Sequence, residues 1–182
     1  MSNERRKYEQ RDRAAKQEET RRRIAAATAE LHSSVGPART TIAEIAKRAG
    51  VQRPTVYNNF PTEKELFAAC QAHFVSESPP PVLDPSRGVE ANLRDLYRWW
   101  RANEGMSGNV ARDRGSMPAL DELMRETADA SFDALADALG HDKQSRAFIR
   151  VALTFGTWKT LSTRGLSDAA AARLMSERAS CK

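Results

Sequence analysis

Between Thr41 and Phe60 the chain sets two short apolar-striped segments on either side of a single glycine, and this pattern constrains the fold more than any other. Thr41-Ile42-Ala43-Glu44 opens the first segment as a capping box. The Thr hydroxyl takes the backbone N–H three residues on, and the Glu carboxylate reaches back to the cap. Ile42, Ile45, Ala46 and Ala49 fall at helical spacing and predict its buried stripe. Gly50 closes the helix, as the residue best able to take positive φ in a sharp turn. Arg53 to Phe60 predicts a second short helix, with Pro54 tolerated in its first turn and Val56 and Phe60 as its core face. Pro61 stops it, and Thr62-Glu63-Lys64-Glu65 opens a further helix with Leu66, Phe67, Cys70 and Phe74 as its stripe. Upstream, Ile24, Ala27, Thr28, Leu31 and Val35 form one face of an amphipathic helix that Gly36-Pro37 ends.

The charge of the chain is concentrated around this pattern. The net charge is +5, yet residues 1–60 hold 13 Lys+Arg against 7 Asp+Glu, whereas residues 61–182 hold 16 against 17. A basic excess confined to one third points to a nucleic-acid or membrane partner. The arm over residues 1–18, with Arg5, Arg6, Lys7, Arg11 and Arg13, has no apolar face, which excludes a membrane-surface helix and predicts a flexible basic tail or a groove-entering arm. Arg21, Arg22 and Arg23 solvate the first helix or touch phosphate. No segment approaches the roughly 18 apolar residues of a spanning helix, and MSNERRKYEQ lacks the apolar core of a secretory signal, so a cytoplasmic protein is expected.

A short helix, a tight Gly turn and a second short helix in a basic region form a helix-turn-helix pattern. With Val56 and Phe60 as anchors, Gln52, Arg53, Thr55, Asn58 and Asn59 are available to a groove, and Tyr57 suits a phosphate. Arg reads guanine with two bonds and Asn favours adenine. The run from Thr41 to Phe67 resembles the N-terminal domain of TetR-family transcriptional regulators, over about residues 20–74. The resemblance implies a homodimer on a palindromic DNA operator and a small-molecule effector that releases it. It implies that Thr41 and Lys64 meet phosphates, and that Arg53, Pro54, Thr55 and Tyr57 face base edges and backbone. Asn59 stands where the family often has His, and Ala43 offers no reach to a base, which throws readout onto Arg53 and Asn58.

The chain is expected to be all-α, with a helix-turn-helix domain over 19–75, a Pro- and Ser-rich linker over 76–88 and a helical ligand-binding and dimerisation domain over 89–182. In the last, Val89, Leu93, Leu96, Tyr97 and Trp100 predict one helix. Residues 105–115 predict a short helix or irregular segment, Pro118–Leu139 a long amphipathic helix, and Ser167 the cap of a last helix. Lys143–Leu161 is apolar nearly all round and predicts burial on two sides, the second against another subunit. Phe148, Ala152, Phe155, Gly156 and Leu174 are the expected dimer contacts. Tyr97, Trp100, Asn103, Met106, Met117, Leu120, Met124 and Phe155 are the expected lining of an effector pocket, against plain core packing.

Two Cys exclude a disulfide scaffold and a four-cysteine zinc site. Cys70 and His73 lie one helical turn apart and offer half a metal or nucleophile site, but no further ligand is near in sequence, so a core Cys is the stronger reading. There is no Gly-rich phosphate loop and no nucleophile elbow, and neither an enzyme nor a cofactor is expected. A DNA-binding repressor without small-molecule control is the second functional reading; a solid C-terminal core would favour it.

Overall fold

The computed structural model describes residues 2–180, with the side chains of 2–6, 9 and 180 outside the description, so the Arg5 and Arg6 side chains and Cys181 lie outside the described residues. All regular structure among the described residues is helical, and no described helix is long and apolar enough to cross a membrane. The chain divides into two compact units, one ending at Ser78 and one starting at Pro79.

The first unit contains α1 (Ser2–Ser34), α2 (Ile42–Ala49), α3 (Arg53–Asn59) and α4 (Glu63–Glu77). Its core is Ile24, Ala27, Leu31, Ile45, Ala46, Ala49, Val56, Phe60 and Leu66. Full burial of each large aliphatic or aromatic side chain in such a set is worth about 1.5–3 kcal/mol, which is what holds helices as short as α2 and α3. Residues 2–18, whose composition allows either a flexible arm or an exposed helical extension, continue α1 without a break. Residues 10–19 are exposed, so among the described side chains this part of α1 is a helical extension with no core of its own. Arg48 of α2 reaches Glu30 of α1 at 2.7 Å, an exposed pair that adds little beyond orientation.

The second unit contains α5 (Gly88–Ala102), α6 (Glu104–Asp113), α7 (Pro118–Met124), α8 (Ala130–Leu139), α9 (Lys143–Ala152), α10 (Phe155–Thr163) and α11 (Asp168–Ser180). Its entry segment is pinned to α5 by Asn92, which is 1% exposed. The Asn92 amide donates to the carbonyls of Asp84 (2.8 Å) and Gly88 (2.7 Å), and its Oδ1 accepts from the Asp84 N–H at 2.8 Å. The core gathers Leu93, Leu96, Tyr97, Trp100, Ile149, Leu153, Trp158 and one face of α11, Ala171, Ala172 and Met175.

Two helices differ from their sequence-based expectation. The Pro118–Leu139 helix passes through a π turn at Arg125–Asp129. The wider turn shifts the helical register after it: Ser131 is exposed, Phe132 is half-buried, and Leu135 and Ala136 are buried. The Lys143–Leu161 helix breaks at Leu153–Thr154, where Thr154 has extended backbone and its hydroxyl accepts from the Thr157 N–H at 3.4 Å. A segment apolar on every side is thus two shorter helices facing differently: α9 buries Ile149 and Ala152, and α10 buries Trp158. The apolar excess that pointed to a second subunit is in large part consumed within the unit.

Candidate nucleic-acid interface

Local rules build the α2–α3 corner. The Thr41 hydroxyl accepts from the Glu44 N–H at 3.2 Å, and the Glu44 carboxylate accepts from the Thr41 N–H at 2.9 Å, completing the capping box. The bonds that the Thr41 hydroxyl and N–H donate hold the Glu44 carboxyl below the usual carboxylate range. Gly50 takes φ 66°, ψ 38°, and the Val51 N–H returns to the Ala46 carbonyl at 2.9 Å, which turns the chain sharply into α3. Gln52 is the extended N-cap, and Pro54 sits in the first turn of α3, where its missing N–H costs nothing.

α3 is held from beneath by Val56 and Phe60, 1% and 3% exposed. Gln52, Arg53, Pro54, Tyr57 and Asn58 are exposed, and Thr55 is half-buried. A short helix with its apolar residues on one side thus presents a guanidinium, an amide, a phenol and a proline ring on the other. Lys64 is exposed in the first turn of α4, whose N-cap Thr62 accepts from the Glu65 N–H at 3.2 Å.

One expected contact is corrected. Asn59 faces inward: its amide donates to the Thr55 carbonyl at 2.8 Å, while its buried Oδ1 has no protein partner. The Asn59 carbonyl accepts from the Arg21 guanidinium, which also lies over the Phe60 ring. Sequence spacing puts Asn59 beside the groove-facing Asn58, and only the packing of α1 on the end of α3 reveals that Arg21 covers this corner. Thr41 is exposed at the N-cap of α2. Its N–H and O–H both donate to the Glu44 carboxylate, the latter at 2.7 Å, so a phosphate there would compete with the helix cap.

The Cys70 thiol meets His32, not His73: Sγ lies 3.5 Å from His32 Nδ1 in the core. Burial pushes the thiol up to about 12, the opposite of an activated nucleophile. No group of three or more metal-ligating side chains converges among the described residues.

In the second unit the expected pocket residues are dispersed between core and rim. Tyr97 is wholly buried, its hydroxyl donating to the Ala152 carbonyl at 2.8 Å. Trp100 packs against Tyr97, Phe132, Phe155 and Trp158 with ring centroids 5.7–6.3 Å apart. Met106 and Leu120 are buried, and Asn103, Met117 and Met124 are half-buried, with the Asn103 amide donating to the Trp99 carbonyl at 2.9 Å. Of the expected dimer contacts, Ala152 is 0% exposed and lies inside the unit, a correction that follows from the helix break. Gly156 and Leu174 are exposed, and Phe148 and Phe155 are half-buried.

Residues 24–70 match the family model for bacterial regulatory proteins of the tetR family. Over 55 residues the chain is 40% identical to an uncharacterized HTH-type transcriptional regulator of Mycobacterium tuberculosis, covering 30% of this chain and 29% of that protein. A Mycobacterium bovis regulator of the same description is 47% identical over 47 residues, 26% of this chain and 25% of its own. The match therefore spans less than a third of these curated relatives. Among solved structures, a TetR transcriptional regulator from Rhodococcus sp. RHA1 aligns with a TM-score of 0.52 at 24% identity, over 91% of this chain and 94% of that one. A tetR-family regulator from Streptomyces coelicolor aligns with a TM-score of 0.57 at 21% identity, over 89% and 78%. These two likenesses establish the fold across both units, while the sequence match is confined to the helix-turn-helix. Taken with the capped α2, the glycine corner and the anchored α3, the family match makes residues 24–70 similar to the helix-turn-helix region of bacterial regulatory proteins of the tetR family.

Proposed function

We propose that the chain is a sequence-specific DNA-binding repressor that lays α3 in the major groove, acts as a cytoplasmic homodimer on a palindromic operator and is released by a small molecule. The observation that carries the reading is the two-sidedness of α3: Val56 and Phe60 buried below, Arg53, Pro54, Tyr57 and Asn58 exposed above. Arg53 reads guanine through its paired donors, Asn58 reads adenine, and Lys64 meets phosphate. Two-fold symmetry then sets half-sites about 34 Å apart or a multiple of it. The experiment is selection of bound duplexes from random genomic fragments at two salt concentrations. Recovery of one palindrome is expected. Salt-steep binding without any selected sequence would reduce the basic third to an electrostatic clamp and overturn the reading.

The second reading, a repressor without small-molecule control, is favoured by one observation. Tyr97, Trp100, Phe155 and Trp158 pack on one another, with Tyr97 and Trp158 at 0% exposure. An effector seated among these rings would have to displace packed aromatics and bind the DNA-incompetent state better than the competent one. A screen for compounds that both raise the melting temperature and release the selected operator separates the two readings.

A further inference from the structure

The first half of α1 has a sidedness that its composition hides. Arg21 meets the end of α3, its guanidinium donating to the Asn59 carbonyl. At intervals of three or four residues before Arg21, Gln17, Arg13 and Gln10 share its side of the helix, with Thr20 beside them. None of these is acidic. From residue 10 to Arg21 the carboxylates are Asp12, Glu18 and Glu19. Helical spacing puts Asp12 and Glu19 on the far side, and Glu18 on the flank turned away from Arg13, beside Arg11. Lys16 pairs with Asp12 at 4.0 Å, and Arg22 pairs with Glu19 at 2.8 Å, both off this stripe. Gln10, Arg13 and Gln17 are exposed.

Over residues 10–21 such a stripe has donors for an anionic partner and holds no carboxylate. Its core-facing continuation is Ile24, so the stripe lies on the side of α1 against which α2 and α3 pack, and it starts where Arg21 holds α3. A disordered tail would lose conformational entropy on docking; a preformed helix has already lost it.

We propose that the Gln10–Arg13–Gln17 stripe of α1 is a second DNA contact, which grips phosphates of the duplex flanking the base pairs read by α3. The proposal rests on the DNA-binding reading above. It makes α1 a rail outside the helix-turn-helix: Arg13 supplies charge to a phosphate, and the Gln10 and Gln17 amides donate to neighbouring phosphate oxygens. The contact carries no sequence information of its own, because phosphate contacts position and do not specify. It lengthens the footprint and steepens the salt dependence.

The test is a set of anisotropy titrations of the full chain over a range of salt, against the selected duplex with long flanks and with flanks trimmed to the selected bases. Arg13→Gln removes the charge from the stripe. Arg11→Gln removes the same charge from the opposite side of the same exposed helix and serves as the control. On the long duplex, Arg13→Gln is expected to flatten the slope of log K against log salt by about 0.9 for each phosphate left unneutralised, while Arg11→Gln leaves it unchanged. On the trimmed duplex, wild type and Arg13→Gln should coincide. Equal slopes for wild type and Arg13→Gln on the long duplex, or equal losses for Arg13→Gln and Arg11→Gln, would overturn the proposal while leaving the α3 reading intact. A wild-type chain that selects no duplex would overturn both. Circular dichroism of each variant distinguishes a weakened phosphate grip from a melted helix, since glutamine is itself a good helix former.

Discussion

The Arg21 guanidinium lies 4.2 Å from the centroid of the Phe60 ring and donates to the carbonyl of Asn59, so one side chain of α1 holds the end of α3 by its π face and by its last backbone acceptor. Phe60 is also a core anchor, 3% exposed, and α3 is only seven residues long. The position of the candidate reading surface is therefore set in part by a residue far upstream in the chain.

Arg21→Ala removes the cation–π contact and a charge-assisted hydrogen bond together. A loss of about 1–3 kcal/mol is expected, measured by urea unfolding. Arg21→Lys should recover only part of it, since an ammonium lacks the planar fork. Full recovery by Lys would show that charge alone, not geometry, holds the corner.

Gly50 tests the corner from the other side. Its φ of 66° is left-handed, and nothing lies within 4 Å of an added Cβ. Gly50→Ala therefore adds backbone strain without a clash, at a cost of about 1–2 kcal/mol. Gly50→Asn should cost less, because Asn tolerates this region. Urea melts of the two variants give the comparison, and equal stability of Gly50→Ala and wild type would remove strain as the reason for glycine.

Arg53 and Lys64 should separate in DNA-binding assays. Arg53→Ala is expected to cost about 1–3 kcal/mol and relax one operator position, whereas Lys64→Ala weakens all sequences alike and flattens the salt slope by about one unit. Competition between the selected duplex and random DNA reads the difference. Equal losses on both for Arg53→Ala would exclude a base-reading role.

Acid stability of the second unit should depend on Asp168. Arg101 donates to it through two nitrogens at 2.8 Å and the buried Trp158 indole N–H donates at 2.9 Å, which together hold its carboxyl below the usual carboxylate range. A depressed folded value means that the stabilisation is fully present above the ordinary aspartate value of about 4 and is lost as pH falls through the folded value. Arg101→Gln should therefore lower the melting temperature at neutral pH and flatten its fall below about pH 4. A parallel downward shift at every pH would show that Arg101 acts through packing on the Trp158 ring, 5.6 Å away, and not through the carboxylate.

The helix-turn-helix was legible because its signals are local. Thr41 and Glu44, Ala49 and Gly50, and Pro61 and Thr62 lie within a few residues of each other, and each acts through backbone geometry or a cap bond its own neighbours complete. The spacing of Ile45, Ala46, Val56 and Phe60 likewise names the inner face of each short helix. The resemblance carried by these residues covered the same stretch and no more.

What escaped the sequence depends on partners distant in the chain. The π turn at Arg125–Asp129 ends on Asp129, which is bound by Arg114 at 2.7 Å and by Arg150 at 2.8 Å. Asn59 reads as one more polar residue on a reading helix until Arg21 closes over its end. Tyr97 and Trp100 carry the composition of a ligand pocket, yet their rings stack on each other, and Trp100 meets Phe155 and Trp158 from another helix. By itself the sequence determined the helices, the caps and the corner of the first unit, since hydrogen bonds that close within four residues need no tertiary partner. The tertiary structure alone decided that Asn59 of α3 turns inward, where the long helices break and that the aromatics fill a core, because each outcome depends on side chains that only folding brings together.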